Sequence, residues 1–249
     1  PGFDSRIDRA SVALMMRYLA IPAPHCIYEG FASLAPGCVA SISFGELRAR
    51  RMPVPSTWWS ASEQAAAAMQ HPHRFVDRED AMAALEQCLG GAIERQMVAD
   101  VPLGAFLSGG IDSSLVVALM QAQAARSGAD PVQTFSIGFE RADYDEAPHA
   151  RAIAAHLGTA HTEHYVSDAE CLALVPQLGA MYDEPFADSS QIGVALVSRI
   201  ARRSVTVALT GDGADELFGG YNRYTLAARW WQRGAALPGP LRSVLGAGL

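Results

Sequence analysis

Apolar positions along the chain recur with two periods. Val12, Met15, Met16 and Leu19 fall on one side of a helix that Asp8 is placed to cap and that Pro22 and Pro24 end. Ala40, Ile42 and Phe44 alternate with Val39, Ser41 and Ser43, which predicts a half-buried strand over 39–44. From Asp77 the pattern becomes regular. Met82, Leu85, Leu89, Ile93 and Met97 recur at helical spacing, with Asp77 or Asp80 at the cap. The run 103–107 is short and apolar, like a buried parallel strand, and 115–120 continues as a helix. Strands are then predicted at 132–139, 161–166 and 205–209, and helical stretches at about 145–157, 169–182 and 189–202. Strands alternating with helices imply right-handed crossovers, hence an α/β fold with a parallel sheet and helices on both faces. Ligands of such sheets bind at the carboxyl ends of the strands, so the loops after Leu107, Ile137, Val166 and Leu209 carry the chemistry.

The loop after Leu107 reads Ser108-Gly109-Gly110-Ile111-Asp112-Ser113-Ser114. At a strand-to-helix turn, free amides of the first helical turn and the helix dipole favour an anion, and Gly109 and Gly110 let phosphate oxygens approach the backbone. Asp112 fits an anion site when a divalent cation shares it, because Mg²⁺ takes a carboxylate together with phosphate oxygens. The common phosphate loop places a lysine after its glycines. Here none follows, and all 19 Lys+Arg residues are arginine.

The loop after Leu209 runs Thr210-Gly211-Asp212-Gly213-Ala214-Asp215-Glu216 and continues to Gly219-Gly220-Tyr221. Three carboxylates and two glycines in so short a span do not suit a core, and the topology opens this loop at the same sheet edge as Asp112. Asp112 and Asp215 are therefore expected to share one Mg²⁺, leaving Asp212 for another task. Asp183, Glu184 and Asp188 are expected to add to an acidic edge that metal or a cationic substrate balances.

With 249 residues, 50% of them hydrophobic, the chain can bury a full-sized core. Its net charge of −7 is spread along the sequence, which argues against a nucleic-acid partner. No apolar run reaches membrane-spanning length, and Pro1-Gly2-Phe3-Asp4 lacks signal-peptide features, so a cytoplasmic protein is expected. Cys26, Cys38, Cys88 and Cys171 have neither metal-site spacing nor the density of a disulfide framework. His71, His73, His161 and His164 do not form a zinc set, since 161 and 164 point to opposite faces of a strand. Residues 1–47 hold too few elements to close a core. They read as the tail of a preceding domain, with 48–76 as a linker and 77–249 as the nucleotide-binding domain.

The two loops, together with Tyr28-Glu29-Gly30, Leu34-Ala35-Pro36-Gly37, Val101-Pro102-Leu103-Gly104, Phe135-Ser136-Ile137-Gly138-Phe139, Tyr144-Asp145-Glu146, His156-Leu157-Gly158-Thr159, Asp183-Glu184-Pro185-Phe186 and Asp188-Ser189-Ser190, resemble the synthetase domain of the glutamine-hydrolysing asparagine synthetase family. The resemblance implies a Rossmann-like fold of the adenine-nucleotide alpha-hydrolase (PP-loop ATPase) type, with residues 1–47 as a remnant of the glutaminase domain. It implies a carbon–nitrogen ligase that uses ATP and Mg²⁺. A substrate carboxylate is adenylated, pyrophosphate leaves, and glutamine-derived ammonia gives the amide and AMP. By the same resemblance Ser108, Gly109, Gly110, Asp112, Ser113 and Ser114 bind pyrophosphate, and Leu107, Ile137, Thr210 and Gly211 contact adenosine. Asp112 and Asp215 hold the metal, and Asp212 serves the acyl-adenylate and its reaction with ammonia. Implied partners are a small-molecule carboxylate and a second copy of the chain, with no nucleic acid and no membrane.

Three departures from the family pattern stand out. Position 212 is Asp where the best-known members carry Glu, one methylene longer, and general-base reach is set by hydrogen-bond geometry. The family's glutaminase uses an N-terminal cysteine as nucleophile, and neither Pro1 nor any internal cysteine takes its place. The family's downstream lysine has no counterpart, and Arg223 is a partial substitute or a surface arginine. Two other readings share these motifs: a same-fold ligase in which another amine replaces ammonia, as in β-lactam or lasso-peptide cyclases, and a nucleotide-binding remnant without turnover.

Overall fold

The computed structural model describes residues 5–140 and 145–235. Pro1-Gly2-Phe3-Asp4 and Tyr144, named above, and residues 236–249 lie outside the described residues. By contacts the chain forms two compact units, one from 1–87 with 167–196 and the other from 88–166 with 197–249.

The second unit contains a parallel sheet. Its strands are β3 (Leu103–Phe106), β4 (Gln133–Phe139), β5 (Ala160–Val166) and β6 (Val207–Leu209), in the order β5-β4-β3-β6. The chain therefore steps outward from β3 through β4 to β5 and returns to β6 on the other side of β3. That reversal puts the topological switch point between β3 and β6.

Apolar packing covers both faces. On one, Ala105 and Leu107 pack with Ile93 of α4 (Arg78–Gln96), with Val117, Met120 and Ala124 of α5 (Ile111–Ser127) and with Ala150 and Ala154 of α6 (Ala147–Leu157). On the other, Phe135 packs with Val197, Ile200 and Ala201 of α9 (Ser190–Ala201) and with Val205, supported by Phe106 and Ile137. Alternation along β4 directs Phe135 and Ile137 one way and Thr134 and Ser136 the other. Thr134 and Ser136 are buried, and both find a partner in His161 of β5. Thr134 Oγ1 lies 2.9 Å from its Nδ1 and Ser136 Oγ 3.1 Å from its Nε2. His161 is thus a core-lining histidine whose two ring nitrogens are bound by hydroxyls, as a buried polar group requires.

Asp145 ties the start of α6 to β5. Its Oδ1 accepts from the Ala147 amide at 3.2 Å, and its Oδ2 accepts from the Tyr165 hydroxyl at 3.4 Å. Tyr165 lies over Gly138, where a Cβ would stand 2.7 Å from the ring. Arg151 of α6 pairs with Glu163 of β5, its Nε 2.9 Å from Oε2.

The first unit departs from the expected pattern of strands and helices in two places, over 39–44 and over 169–182. The strand expected at 39–44 is only β1 (Cys38–Val39), paired antiparallel with β2 (Ser56–Thr57). Phe44 instead opens α2 (Phe44–Arg48), because Ser43 accepts from the Glu46 amide while Glu46 accepts from Ser43 in a capping box. The segment 48–76, read as a linker, contains α3 (Ala61–Gln70), capped by Ser60 through the Glu63 amide at 3.3 Å. The helical stretch expected over 169–182 is divided into α7 (Asp168–Leu174), a 3₁₀ turn at Val175–Gln177 containing Pro176, and α8 (Leu178–Met181). The expected first helix is α1 (Arg9–Tyr18), with Asp8 as its cap. No helix among the described residues is long and apolar enough to cross a membrane.

Two outcomes follow from the packing. Gly104→Ala would place a Cβ 2.6 Å from the Gln133 carbonyl oxygen and 2.9 Å from Phe135 Cε2, so it should destabilise the chain by about 1–3 kcal/mol in a urea melt; an unchanged midpoint would contradict the described β3 packing. Burial lowers the pKa of His161 from its ordinary value, Glu163 opposes this and Arg151 reinforces it. The unfolded chain therefore takes up the His161 proton first as pH falls. Its contribution to stability is complete above about pH 6.5 and is lost as pH drops through the lower native value. The melting temperature should fall more steeply between about pH 7.5 and about pH 5.5 in the parent than in His161→Gln; parallel curves would refute this.

Candidate functional site

The site is assembled at the carboxyl edge of the sheet by loops that follow β3 and β6. Leu107 closes β3, its amide donating to the Phe135 carbonyl at 2.9 Å. Its side chain is only 1% exposed and belongs to the core, so only its main chain is available to a ligand. Gly109 then turns the chain at φ +83°, in the left-handed region, and Gly110 is the N-cap of α5. Having no side chain, Gly110 leaves the first-turn amides of α5 uncapped by its own residue.

Three serines brace this turn. The Ser113 hydroxyl accepts from the Ser108 amide at 3.2 Å, lies 2.9 Å from Ser108 Oγ and donates to the Gly110 carbonyl at 3.3 Å. Ser113 is almost fully buried, and its hydroxyl is a strut of the loop. Ser108 Oγ also accepts from the Gly110 amide at 3.3 Å, while Ser114 Oγ donates to the Gly110 carbonyl at 2.6 Å. The loop is therefore held in shape by its own hydroxyls.

The second loop meets it directly. A Cβ on Gly211 would stand 2.7 Å from the Ser113 nitrogen and 3.1 Å from Asp112 Cβ, so only glycine permits this approach. Thr210 Oγ1 accepts from the Asp212 amide at 3.2 Å and donates to Asp212 Oδ2 at 2.9 Å, which orients that carboxylate. Gly213, at φ +91°, starts α10 (Ala214–Phe218), and Asp215 and Glu216 lie in its first turn. The Asp215 carboxylate folds against Gly220, where a Cβ would collide with its Oδ1, and the Gly220 amide donates to the Asp215 carbonyl at 3.0 Å. Ile137 lies on β4, partly buried beside Phe135.

The second unit thus brings Asp112 and Ser113 against Gly211, with Thr210 and Asp212 beside them. Among the described residues no three His, Cys, Asp or Glu side chains gather into a metal cluster. Asp112 lies in the first turn of α5 and Asp215 in the first turn of α10, and each offers the hard carboxylate oxygens expected of a Mg²⁺ ligand. Mg²⁺ takes one or two carboxylates when phosphate oxygens complete its shell, so these residues fit that ion.

The other expected acidic residues serve the first unit. Glu184 accepts from the Ile27 amide at 3.2 Å and 3.1 Å through its two oxygens, and its hydrogen bond to the Cys26 thiol raises that thiol's pKa. Asp188 accepts from the Ser190 amide at 2.8 Å, ahead of α9. Glu184 and Asp188 thus each accept from main-chain amides within the first unit. Arg223 lies with Cζ 4.0 Å over the Tyr221 ring and 5.7 Å from the Tyr224 centroid, and Tyr221 donates to Glu216 Oε1 at 2.8 Å. One neighbour of the loop had no signature in the sequence. A Cβ on Gly109 would stand 2.8 Å from His149 Cβ and 2.9 Å from the Ala150 nitrogen, so the first turn of α6 buttresses the loop. The signal available was only that His149 opens the helix following a ligand-edge strand.

The asparagine synthase family matches residues 84–248 of this chain. A Mycobacterium tuberculosis protein provisionally named asparagine synthetase (glutamine-hydrolyzing) is 34% identical over 247 residues, which are 98% of this chain and 35% of that protein. Asparagine synthetase (glutamine-hydrolyzing) 1 of Bacillus subtilis is 41% identical over 133 residues, 53% of this chain and 20% of that protein. The chain therefore spans about a third of the length of its mycobacterial relative. Among solved structures, NH3-dependent NAD synthetase from Campylobacter jejuni aligns with a TM-score of 0.39 at 17% identity, over 56% of this chain and 60% of that one. The match over residues 84–248 and the 34% identity across 98% of the chain make this protein a member of the asparagine synthase family.

Proposed function

We propose that the chain activates a carboxylate with ATP for amide formation, as the synthetase part of an asparagine-synthetase-like ligase. The observation that carries this reading is the close approach of Gly211 to Asp112 and Ser113. It joins a glycine-serine anion loop and a carboxylate loop at the switch point of a parallel sheet. In this reading Ser108, Gly109, Gly110 and Ser114 hold the pyrophosphate end of ATP, and Ser113 keeps their turn rigid. Ile137, Thr210, Gly211 and the main chain of Leu107 receive the adenosine part. Asp112 and Asp215 hold Mg²⁺, which supplies neutralisation of phosphate charge when bound.

A carboxylate oxygen of the substrate attacks the α-phosphorus, the bond from that phosphorus to the bridging oxygen breaks, and pyrophosphate leaves with the electron pair. An amine nitrogen then attacks the acyl carbon, the carbon–oxygen bond to AMP breaks, and the nitrogen gives up a proton. Asp212, oriented by Thr210, is the acceptor for that proton. Most of the acceleration in phosphoryl transfer comes from positioning and charge stabilisation, which loops of fixed shape supply. The relatives' names include glutamine hydrolysis, and the amine in this reading is ammonia from a glutaminase domain of which residues 1–47 are the tail. Residues 48–76 are the linker and 77–249 the synthetase domain, acting in the cytoplasm as a homodimer on aspartate or a related acid. The shorter carboxylate at Asp212 favours one second reading, a same-fold ligase whose attacking amine belongs to its own substrate.

Two measurements test this. With MgATP and aspartate, the parent should exchange labelled pyrophosphate into ATP, and Asp112→Asn and Asp215→Asn should each lower the exchange roughly a hundredfold; absence of both exchange and MgATP binding in the parent would overturn the reading. Gly211→Ala should weaken MgATP binding by roughly tenfold or more while the circular dichroism stays that of the parent, because the added Cβ forces the two loops apart. Unchanged affinity would show that their approach is not what binds the nucleotide. Amide formation that needs added ammonia separates the first reading from the second.

A further inference from the structure

A nucleotide's phosphates bring several negative charges to a loop whose own ionisable side chain, Asp112, is negative. The chain contains no lysine to meet them. Within the second unit three helices begin after strands of the sheet: α5 at Ile111, α6 at Ala147 and α10 at Ala214. Across their first turns the ionisable side chains are Asp112, His149, Asp215 and Glu216, so His149 is the single base. It is exposed, and its Cβ is the atom nearest to where a Cβ of Gly109 would stand, at 2.8 Å. Among the described residues, Arg151 is paired with Glu163, and Arg223 lies over Tyr221.

We propose that His149 is a pyrophosphate-binding residue of this site. Its imidazole donates an N–H to a phosphate oxygen of the nucleotide and, when protonated, places a positive charge beside the leaving pyrophosphate. This rests on the reading of 108–114 as the pyrophosphate loop. An imidazole is an N–H donor in both protonation states, and a hydrogen bond from a charged donor to phosphate is about twice as strong as a neutral one. The placement has a structural cause. Asp145 accepts from the Ala147 amide at the start of α6 and from the Tyr165 hydroxyl, and the missing Cβ of Gly109 lets the loop close on His149 and Ala150.

The test uses the full chain with magnesium pyrophosphate as the probe, and AMP as a ligand that lacks the β and γ phosphates. His149→Ala keeps the Cβ that contacts the loop and removes only the imidazole, so packing against Gly109 is preserved. It should weaken pyrophosphate binding roughly tenfold and leave AMP binding unchanged. His149→Arg should restore at least half of the lost binding free energy, which a purely structural role of the side chain would not allow. Equal pyrophosphate affinity in the parent and His149→Ala would overturn the assignment, as would equal losses for pyrophosphate and AMP, or failure of the arginine to restore binding in a variant that melts like the parent. If the parent itself retains no pyrophosphate, the reading of the loop falls and His149 falls with it.

Discussion

Main-chain contact without room for a Cβ is the constraint on which the ligand edge of this protein depends. Gly211 lies against the Ser113 nitrogen, and Gly109 against the first turn of α6. Each approach replaces a side chain by backbone amides and carbonyls, which are the groups that an anion and its metal can use. The sheet order β5-β4-β3-β6 makes both approaches possible, since it sets the loop after β3 between the loop after β6 and the helix after β4. A methyl group at either glycine would separate elements that lie far apart in sequence. At Gly109 it would also have to adopt φ +83°, which L side chains rarely do.

The site's polar groups divide into supports and free functions. Ser113 and Thr210 spend their hydroxyls on neighbouring groups of their own loops, and Asp145 spends its carboxylate on α6 and Tyr165. These contacts hold Asp112, Asp212 and the loop amides in place before any ligand arrives. Preorganisation of this kind is what lets fixed dipoles stabilise developing charge without reorganising during the reaction. The division also explains why so acidic an edge is compatible with a folded chain: its carboxylates stay at least partly exposed, while the buried polar residues beneath them, Ser113, Thr134 and Ser136, all have hydrogen-bond partners.

Much of this was legible in the sequence because the signals were local. Buried strands such as 103–106 read as uninterrupted apolar runs, helices such as α5 follow a glycine turn, and the two loops announce themselves by glycine beside carboxylate. What escaped the pattern was decided by competition or by distance. Phe44 fits the alternation of a strand, yet the Ser43–Glu46 capping box claims it for a helix. The run Ala65–Ala68 in α3 has high helix propensity and no apolar stripe, so periodicity is silent about it. Glu184 has the composition of a ligand and the partners of a brace, and only the fold reveals which amide it meets. His149 was invisible for the same reason, since nothing adjacent in sequence connects it to Gly109.

The brace at Glu184 also bears on how the chain comes to be folded. Its carboxylate receives the Ile27 amide across 157 positions of sequence, and the Ala187 amide donates to the Leu19 carbonyl at 2.7 Å in the same region. During synthesis Leu19 and Ile27 wait with these groups unmet while β3, β4 and β5 of the other unit are made. At ribosomal rates of about 5–20 residues per second that interval lasts on the order of ten seconds. Residues 19–27 therefore complete these contacts only after Glu184 and Ala187 have been made, later in synthesis than β3, β4 and β5.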